Sequence, residues 1–489
     1  DVADVWTSLY FENKVSHSEY DKLQEKLSAS EEEWEKLRNA PYIIKALQIA
    51  RDKRFFHWEL EFPEVFFEGH QRKDNPGFDV VVGNPPYDVI SEKEQEREVE
   101  AEKEFFTTNP LHSPAIGSKL NFYRLFTTLS LGLLCENGIH GFIVPMALLG
   151  DEQARPLREY LLRENSLKLI EAFPQKDDPK NRVFQDAKLS TCVYVVKKSP
   201  PASFVLRVHP GKCILDTSPI IEIDNKQIEV FDPENLSIPS YPGMTANDFK
   251  LALKLTRISK GAKLGDLAPS QQGEVNLTTH AQFLSDEPKG QIVLRGAHVG
   301  RYEFQEEPKQ GSPKYLDVKR FLKSHGLDTK AHDYRYIRIG YQRGSAIDNW
   351  RRIIATIIEP GNFCSDTINY IVNPKEIDLF TILALLNSSL WEWRFRLTST
   401  NNHVNAYEID GMPMIHFNFV IQESERKKLL EKGKSLYEEC MKKEDDKYVI
   451  GFVEHHLSAN PERSDVVHDF LAFLAEQMFE MNKEKQKEI

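Results

Sequence analysis

Phe78-Asp79-Val80-Val81-Val82-Gly83-Asn84-Pro85-Pro86-Tyr87 is the stretch on which the reading of this chain turns. A continuous β-branched run of this kind fills a strand buried on both faces. It stops at Asn84-Pro85, because proline has no N–H to give a sheet. Upstream lie a dense aromatic stretch over residues 55–67 and a polar loop over 69–77; before them residues 1–53 read as helical, with Ser30 and Glu33 spaced as a capping box ahead of the apolar run Trp34, Leu37, Ile43, Ile44 and Leu47. Downstream, residues 92–104 carry seven acidic and three basic side chains, which predicts an exposed insertion of weak order. The spacing of Phe122, Phe126, Leu129 and Leu133 predicts an amphipathic helix over 120–134, ended by Gly138. A strand over 140–145, a helix to about 164, and strands over 167–173 and 190–196 follow. Strands alternating with helices predict an α/β sheet, and two strands joined without a helix predict an antiparallel edge.

The chain has 489 residues, 40% hydrophobic and 28% charged. That excludes a peptide hormone or disulfide miniprotein, and no apolar run approaches the roughly 18 residues of a membrane span; a cytoplasmic protein with no membrane partner is expected. The cysteines at 135, 192, 213, 364 and 440 are odd in number and too far apart for a zinc cage. They predict free thiols and no metal. The first residue is Asp1 and the first methionine Met146, so a fragment of a longer polypeptide is expected.

Net charge is −12, but residues 289–352 hold 14 Lys and Arg against 7 Asp and Glu, a surplus of +7 that leaves the rest at −19. The expected division is a helical segment over 1–54, an α/β domain over 55–200, a proline-rich linker with small strands over 201–244, a second domain over 245–422 and a charged helical region over 423–489.

The chemistry of Asn84-Pro85-Pro86-Tyr87 can be derived from its residue types. The exocyclic amine of adenine is a poor nucleophile because its lone pair is delocalised into the ring. An enzyme that alkylates it must accept both N–H groups and tilt the nitrogen toward sp³. The Asn84 side-chain carbonyl and the Pro85 main-chain carbonyl can be those acceptors, with φ fixed by consecutive prolines. Tyr87 offers a face on which an extruded base can stack. The tetrapeptide also falls beyond the carboxyl end of a strand, where open α/β sheets bind ligands. The plain alternative is a proline turn that closes a strand.

The whole stretch 78–87 resembles motif IV of the amino-group DNA methyltransferases in the form typical of N6-adenine enzymes. Residues 56–66, Phe-His-Trp-Glu-Leu-Glu-Phe-Pro-Glu-Val-Phe, are similar to the segment before that motif in large methyltransferases of Type IIG-like restriction-modification and phage-defence proteins. Leu120-Asn121-Phe122-Tyr123, the 138–145 strand and Val183-Phe184 ahead of the 190–196 strand match later motifs in order. The resemblance implies the C-terminal half of a Rossmann-like methyltransferase sheet, and S-adenosylmethionine as methyl donor. It implies that Phe184 packs against the target adenine opposite Tyr87, and that His57 and Trp58 border the donor's adenine; Trp58 as plain core is the other reading. The family's glycine-rich donor loop should precede the tetrapeptide, yet Gly69 and Gly77 are the only glycines before Gly83. The resemblance thus implies a part of the catalytic domain, inactive alone, whose missing N-terminal portion would be its partner in a bacterial or archaeal cytoplasm.

Residues 245–422 resemble the α+β target-recognition domain of such enzymes, through Gly273-Glu274-Val275-Asn276, Leu294-Arg295-Gly296, Arg352-Ile353-Ile354-Ala355 and residues 385–390. Arg295, Arg301, Lys319, Arg320, Lys323, Arg335, Arg338, Arg343, Arg351 and Arg352, interleaved with tyrosines and Trp350, suit contact with phosphates of double-stranded DNA. A solvated basic face is the bland reading of the same residues. Glu287-Pro288-Lys289 and Glu307-Pro308-Lys309 contain proline and do not read as nuclease sites, and Glu454-His455-His456 reads as a helix surface. Two functions are carried forward: adenine-N6 methylation of a flipped base within a restriction-modification or phage-defence system, and a DNA sequence-recognition module with a non-catalytic methyltransferase half.

Overall fold

The computed structural model describes residues 1–307, 311–347, 349–399 and 402–488; Pro308 and Lys309 of the 307–309 match lie outside them. The chain forms two compact units, residues 1–238 with 242–246 and residues 239–241 with 247–489. Each mixes helices and sheet.

In the first unit the Ser30–Glu33 capping box forms and opens helix α1 (Glu31–Arg38). The apolar run behind it is split between two helices, because Pro41 sits in the first turn of α2 (Pro41–Lys53), where its missing N–H costs nothing. Ile43 and Ala46 of α2 are buried with Val5 and Leu23.

The decisive stretch is strand β1 (Phe78–Gly83). It is followed by α3 (Glu100–Thr108), α4 (Phe122–Leu133), β2 (Leu134–Pro145), α5 (Arg155–Arg163), β3 (Ser166–Phe173), β4 (Thr191–Lys197), β5 (Phe204–Val208) and β6 (Ile221–Ile223). They form a six-stranded sheet in the order β1-β2-β4-β3-β5-β6. β1 runs parallel to β2, and β4 is antiparallel to both its neighbours.

Five expectations change here. β1 is an edge strand, not one buried on both faces: Val80 and Val82 are 59% and 80% exposed, beside Ile139 of β2 at 43%. β4 is antiparallel as read, but it lies inside the sheet because β5 and β6, small strands of the 201–244 stretch, extend it. The acidic 92–104 stretch contains the start of α3, held by the fully buried Val99 next to Ile90. Helix α4 ends at Leu133 and passes straight into β2, so Gly138 lies within a strand and not at the helix end. The helix that precedes β2 begins only at Phe122, capped by Asn121.

The opposite face of the sheet is buried, with Phe142 and Val144 of β2 beside Tyr194 and Cys192 of β4. His140 of β2 belongs to that interior, and among the described residues neither of its ring nitrogens has a hydrogen-bond partner. Burial pushes its pKa down to about 4, as it does for His112. Both histidines therefore stay neutral in the folded chain while the unfolded chain takes up protons below about pH 6.5. Stability falls as pH drops from there toward 4, by about 2 kcal/mol per histidine between pH 7 and pH 5. Denaturant midpoints at the two pH values check this: the gap narrows in His140→Phe, and an unchanged gap would contradict the assignment.

In the second unit β7 (Ser270–Gln272), β8 (Gln291–Leu294), α6 (Val318–Lys323), β9 (Arg338–Gln342), β10 (Ala355–Ile358), β11 (Phe363–Cys364) and β12 (Ile368–Val372) precede the helices α7 (Leu379–Leu386), α8 (Ser389–Arg396), α9 (Glu423–Lys443), α10 (Lys447–Leu457) and α11 (Ser464–Glu488). Strands β10-β9-β12-β7 form an antiparallel sheet. β8 and β11 pair in parallel within a second sheet of four strands. The main core joins Ile339, Tyr341, Ile357 and Ile371 of the first sheet to Leu383 and Leu386 of α7 and Phe479 of α11. Among the described residues no helix is long and apolar enough to cross a membrane, and no group of three or more His, Cys, Asp or Glu is placed to hold a metal ion.

Candidate active site

Asn84-Pro85-Pro86-Tyr87 leaves the carboxyl end of β1. Gly83 closes the strand against the ring of Phe142, where a Cβ would meet a ring carbon at 3.2 Å; glycine here lets the turn start close to β2. Asn84 is exposed and Pro85 buried. The Tyr87 hydroxyl lies 2.8 Å from Asn84 Oδ1 and 3.0 Å from the main-chain oxygen of Ile143 in β2. Burial pushes the Tyr87 pKa up to about 12, so the phenol keeps its proton at neutral pH and is the donor. It has one proton for two acceptors. Among the described residues no donor occupies the Pro85 carbonyl.

Three further contacts tie this turn down. Asn121 Nδ2 donates to the Tyr87 carbonyl at 2.9 Å. The backbone N–H of Phe122 donates to Asp88 O at 3.1 Å, and that of Ile90 to Leu120 O at 2.8 Å. Sequence reasoning noted Asn121 only within a motif; the signal that could have singled it out is an Asn immediately ahead of an amphipathic helix.

Phe184 is brought to Tyr87, with ring centroids 6.1 Å apart and planes at 66°. A base sandwiched between two parallel rings needs about 7 Å between them, twice a carbon contact distance of roughly 3.5 Å. Phe184 instead meets Tyr87 in an edge-to-face pair, with the two rings too close and too steeply inclined to sandwich a base in this arrangement.

His57 and Trp58 part company. His57 Nε2 is 2.9 Å from Asp4 Oδ1, and its ring lines a cleft of about 860 Å³ with Trp6, Tyr10, Phe55, Phe105 and Phe122. The same cleft carries Glu102, already paired with Lys53 and Arg97. Trp58 does not line it; its half-buried ring packs on Phe56, Phe62 and Phe78 at 4.8 to 6.0 Å.

In the second unit the basic residues divide by exposure. Arg301, Arg320, Lys323 and Arg335 are exposed, and Arg295 and Arg343 half-buried. Arg338, Arg351 and Arg352 are 0%, 4% and 1% exposed, a correction to their reading as DNA contacts. Arg338 is ion-paired with the buried Glu274 and lies 4.9 Å over the Tyr370 ring. Arg351 donates to the carbonyls of Ile353 and Ser388 at 2.8 and 2.9 Å. Arg352 covers the Phe395 ring at 5.4 Å, and its backbone N–H donates to Glu392 at 2.8 Å. Of the interleaved aromatics, Tyr336 and Trp350 are exposed at 48% and 80%, whereas Tyr302 and Tyr341 are core.

Residues 5–178 match the Eco57I restriction-modification methylase family. That segment contains β1, the tetrapeptide and Asn121. A putative type II restriction enzyme and methyltransferase of Methanocaldococcus jannaschii is 30% identical over 152 residues, which are 30% of this chain and 10% of that protein. The chain thus spans a tenth of the curated relative's length. Among solved structures, the Type IIL restriction-modification enzyme MmeI in complex with DNA aligns over 84% of this chain and 57% of its own at 11% identity and a TM-score of 0.45. The type IIG restriction endonuclease BpuSI aligns over 72% of this chain and 48% of its own, at 13% identity and a TM-score of 0.30.

Proposed function

We propose that this chain carries the base-handling part of a DNA adenine-N6 methyltransferase of a restriction-modification or phage-defence system. The observation that carries the reading is the pairing of an exposed Asn84 carbonyl with the half-buried ring of Tyr87 at the end of β1, inside the segment that matches a methylase family. A flipped adenine stacked on Tyr87 would place its amine between Asn84 Oδ1 and the Pro85 carbonyl. Both acceptors draw on the N–H groups, and the nitrogen lone pair becomes available. S-adenosylmethionine, when bound, would supply the methyl group that this nitrogen attacks.

The residues present fit that donor on one side. The aromatic wall of the His57 cleft suits an adenine ring, but the chain brings no glycine-rich loop to cradle the donor's other end. We place the remaining part of the methyltransferase sheet on the open edge and exposed apolar face of β1, where Val80 and Val82 have no cover. The absence of that loop is also the observation favouring the second reading, a recognition module with a non-catalytic methyltransferase half.

The exposed cations Arg301, Arg320, Lys323 and Arg335, with Tyr336 and Trp350, are proposed to hold double-stranded DNA, with Arg295 and Arg343 beside them. Each phosphate contact removed flattens the slope of log Kd against log salt by about 0.9. Arg320→Ala with Lys323→Ala is therefore expected to lower that slope by nearly two, with folding unchanged; an unaltered slope would exclude these two residues.

The decisive experiment is transfer of labelled methyl groups from S-adenosylmethionine to unmethylated plasmid DNA, with the product base identified. N6-methyladenine supports the first reading. Sequence-selective DNA binding without transfer, even when a donor-binding half is added, supports the second.

A further inference from the structure

We infer that Asn121 is a positioning residue for Tyr87, a role that rests on the methyltransfer reading above. Its side chain works at both ends. Oδ1 accepts the Tyr123 backbone N–H at 3.1 Å and so caps α4. Nδ2 donates to the Tyr87 carbonyl at 2.9 Å. The two partners have opposite polarity, which fixes the orientation of the amide. No other short side chain supplies both groups: Asp and Ser cap helices well, but a carboxylate repels the Tyr87 carbonyl, and a serine hydroxyl engaged by the helix N–H is too short to reach across.

Backbone pairing reinforces the joint. Val89 and Asn121 form an isolated antiparallel bridge, flanked by Ile90 N–H to Leu120 O at 2.8 Å and Phe122 N–H to Asp88 O at 3.1 Å. The ring of Tyr87 is thereby held from two sides: its carbonyl by the first turn of α4, and its hydroxyl by Asn84 and by Ile143 of β2. A base that stacks on this ring meets a surface whose place is set by α4 and β2 together. Losing the Asn121 amide releases one of the two anchors while leaving the helix capped. The consequence falls on stacking of the extruded base and on the rate of the step that needs it, with DNA binding elsewhere unaffected.

Asn121→Ser and Asn121→Asp, each in the full chain, test this, with thermal unfolding to verify that the cap is kept. Two readouts are taken beside Asn84→Ala. The first is the emission change when a single-stranded oligonucleotide of mixed sequence containing 2-aminopurine binds, which needs no donor. The second is kcat and KM for methylation of plasmid DNA. The expected result is an emission change reduced at least twofold in both Asn121 variants, with kcat about tenfold or more lower and KM for DNA within about twofold of the parent. Parent-like emission and kcat in both variants would overturn the assignment. If the variants lose KM and thermal stability instead, the residue is merely structural and the assignment is again overturned. Should Asn84→Ala keep full kcat, or the parent show none even when a donor-binding half is added, the methyltransfer reading fails, and the emission change alone decides whether Asn121 positions Tyr87.

Discussion

Asn84→Ala is expected to lower methyl transfer by about 10²–10³-fold, the loss that follows removal of one fixed polar group aimed at a reacting centre. The side chain is exposed, and its hydrogen-bond donor, the Tyr87 hydroxyl, retains the Ile143 carbonyl at 3.0 Å as an alternative acceptor. Folding and DNA affinity should therefore stay at parent values. The companion substitution Tyr87→Phe separates the two roles of the tyrosine. It keeps the stacking face, removes the hydroxyl that donates toward Asn84 Oδ1, and should leave kcat within about tenfold of the parent, whereas Tyr87→Ala loses the face as well. Steady-state methylation of plasmid DNA with filter-binding affinities checks all three. If Asn84→Ala transfers methyl groups at the parent rate, its carbonyl is not an acceptor for the reacting amine.

The second large effect concerns stability. Arg338→Met is expected to destabilise the second unit by about 3–5 kcal/mol, because it strands the Glu274 carboxylate in an interior where both partners are fully buried. The Glu274 carboxylate also accepts the backbone N–H of Cys364 at 2.9 Å, so the pair clamps β9 to β11. Replacing both residues, Glu274→Leu with Arg338→Met, removes the charge and should recover most of the loss. Denaturant unfolding of the single and double variants measures this. Parent-like stability with weakened DNA binding would return Arg338 to the DNA-contacting set from which its burial removed it.

The contrast between these two residues marks how far a linear reading reaches. That Asn84 and Tyr87 meet in one turn was legible because their approach depends on local spacing: four consecutive residues fix a carbonyl, two rigid φ angles and a ring. Ser30 and Glu33 formed their capping box for the same reason, the partners being three residues apart. Arg338 was not legible, since charge density over residues 289–352 counts a guanidinium equally whether it points to water or to Glu274, which is 64 residues away. The run Val80-Val81-Val82 misled in the opposite way. A β-branched sequence specifies a strand, but the number of neighbours that strand has is decided by the order β1-β2-β4-β3-β5-β6, and at an edge two of the valines stand exposed.

By itself the sequence determined the strand and its proline stop, the residue types at the tetrapeptide and the α/β alternation, all properties of neighbours a few residues apart. Only the tertiary structure decided that β4 enters the sheet between β2 and β3, that Asn121 reaches Tyr87 across 34 residues, that Trp58 packs in an aromatic cluster while His57 lines a cleft, and which arginines meet solvent. The physical reason is the same in each case. Burial and hydrogen bonding between distant segments depend on how whole elements pack against one another, and a linear pattern records the appetite of a residue for burial or for a partner but not the element that will supply it.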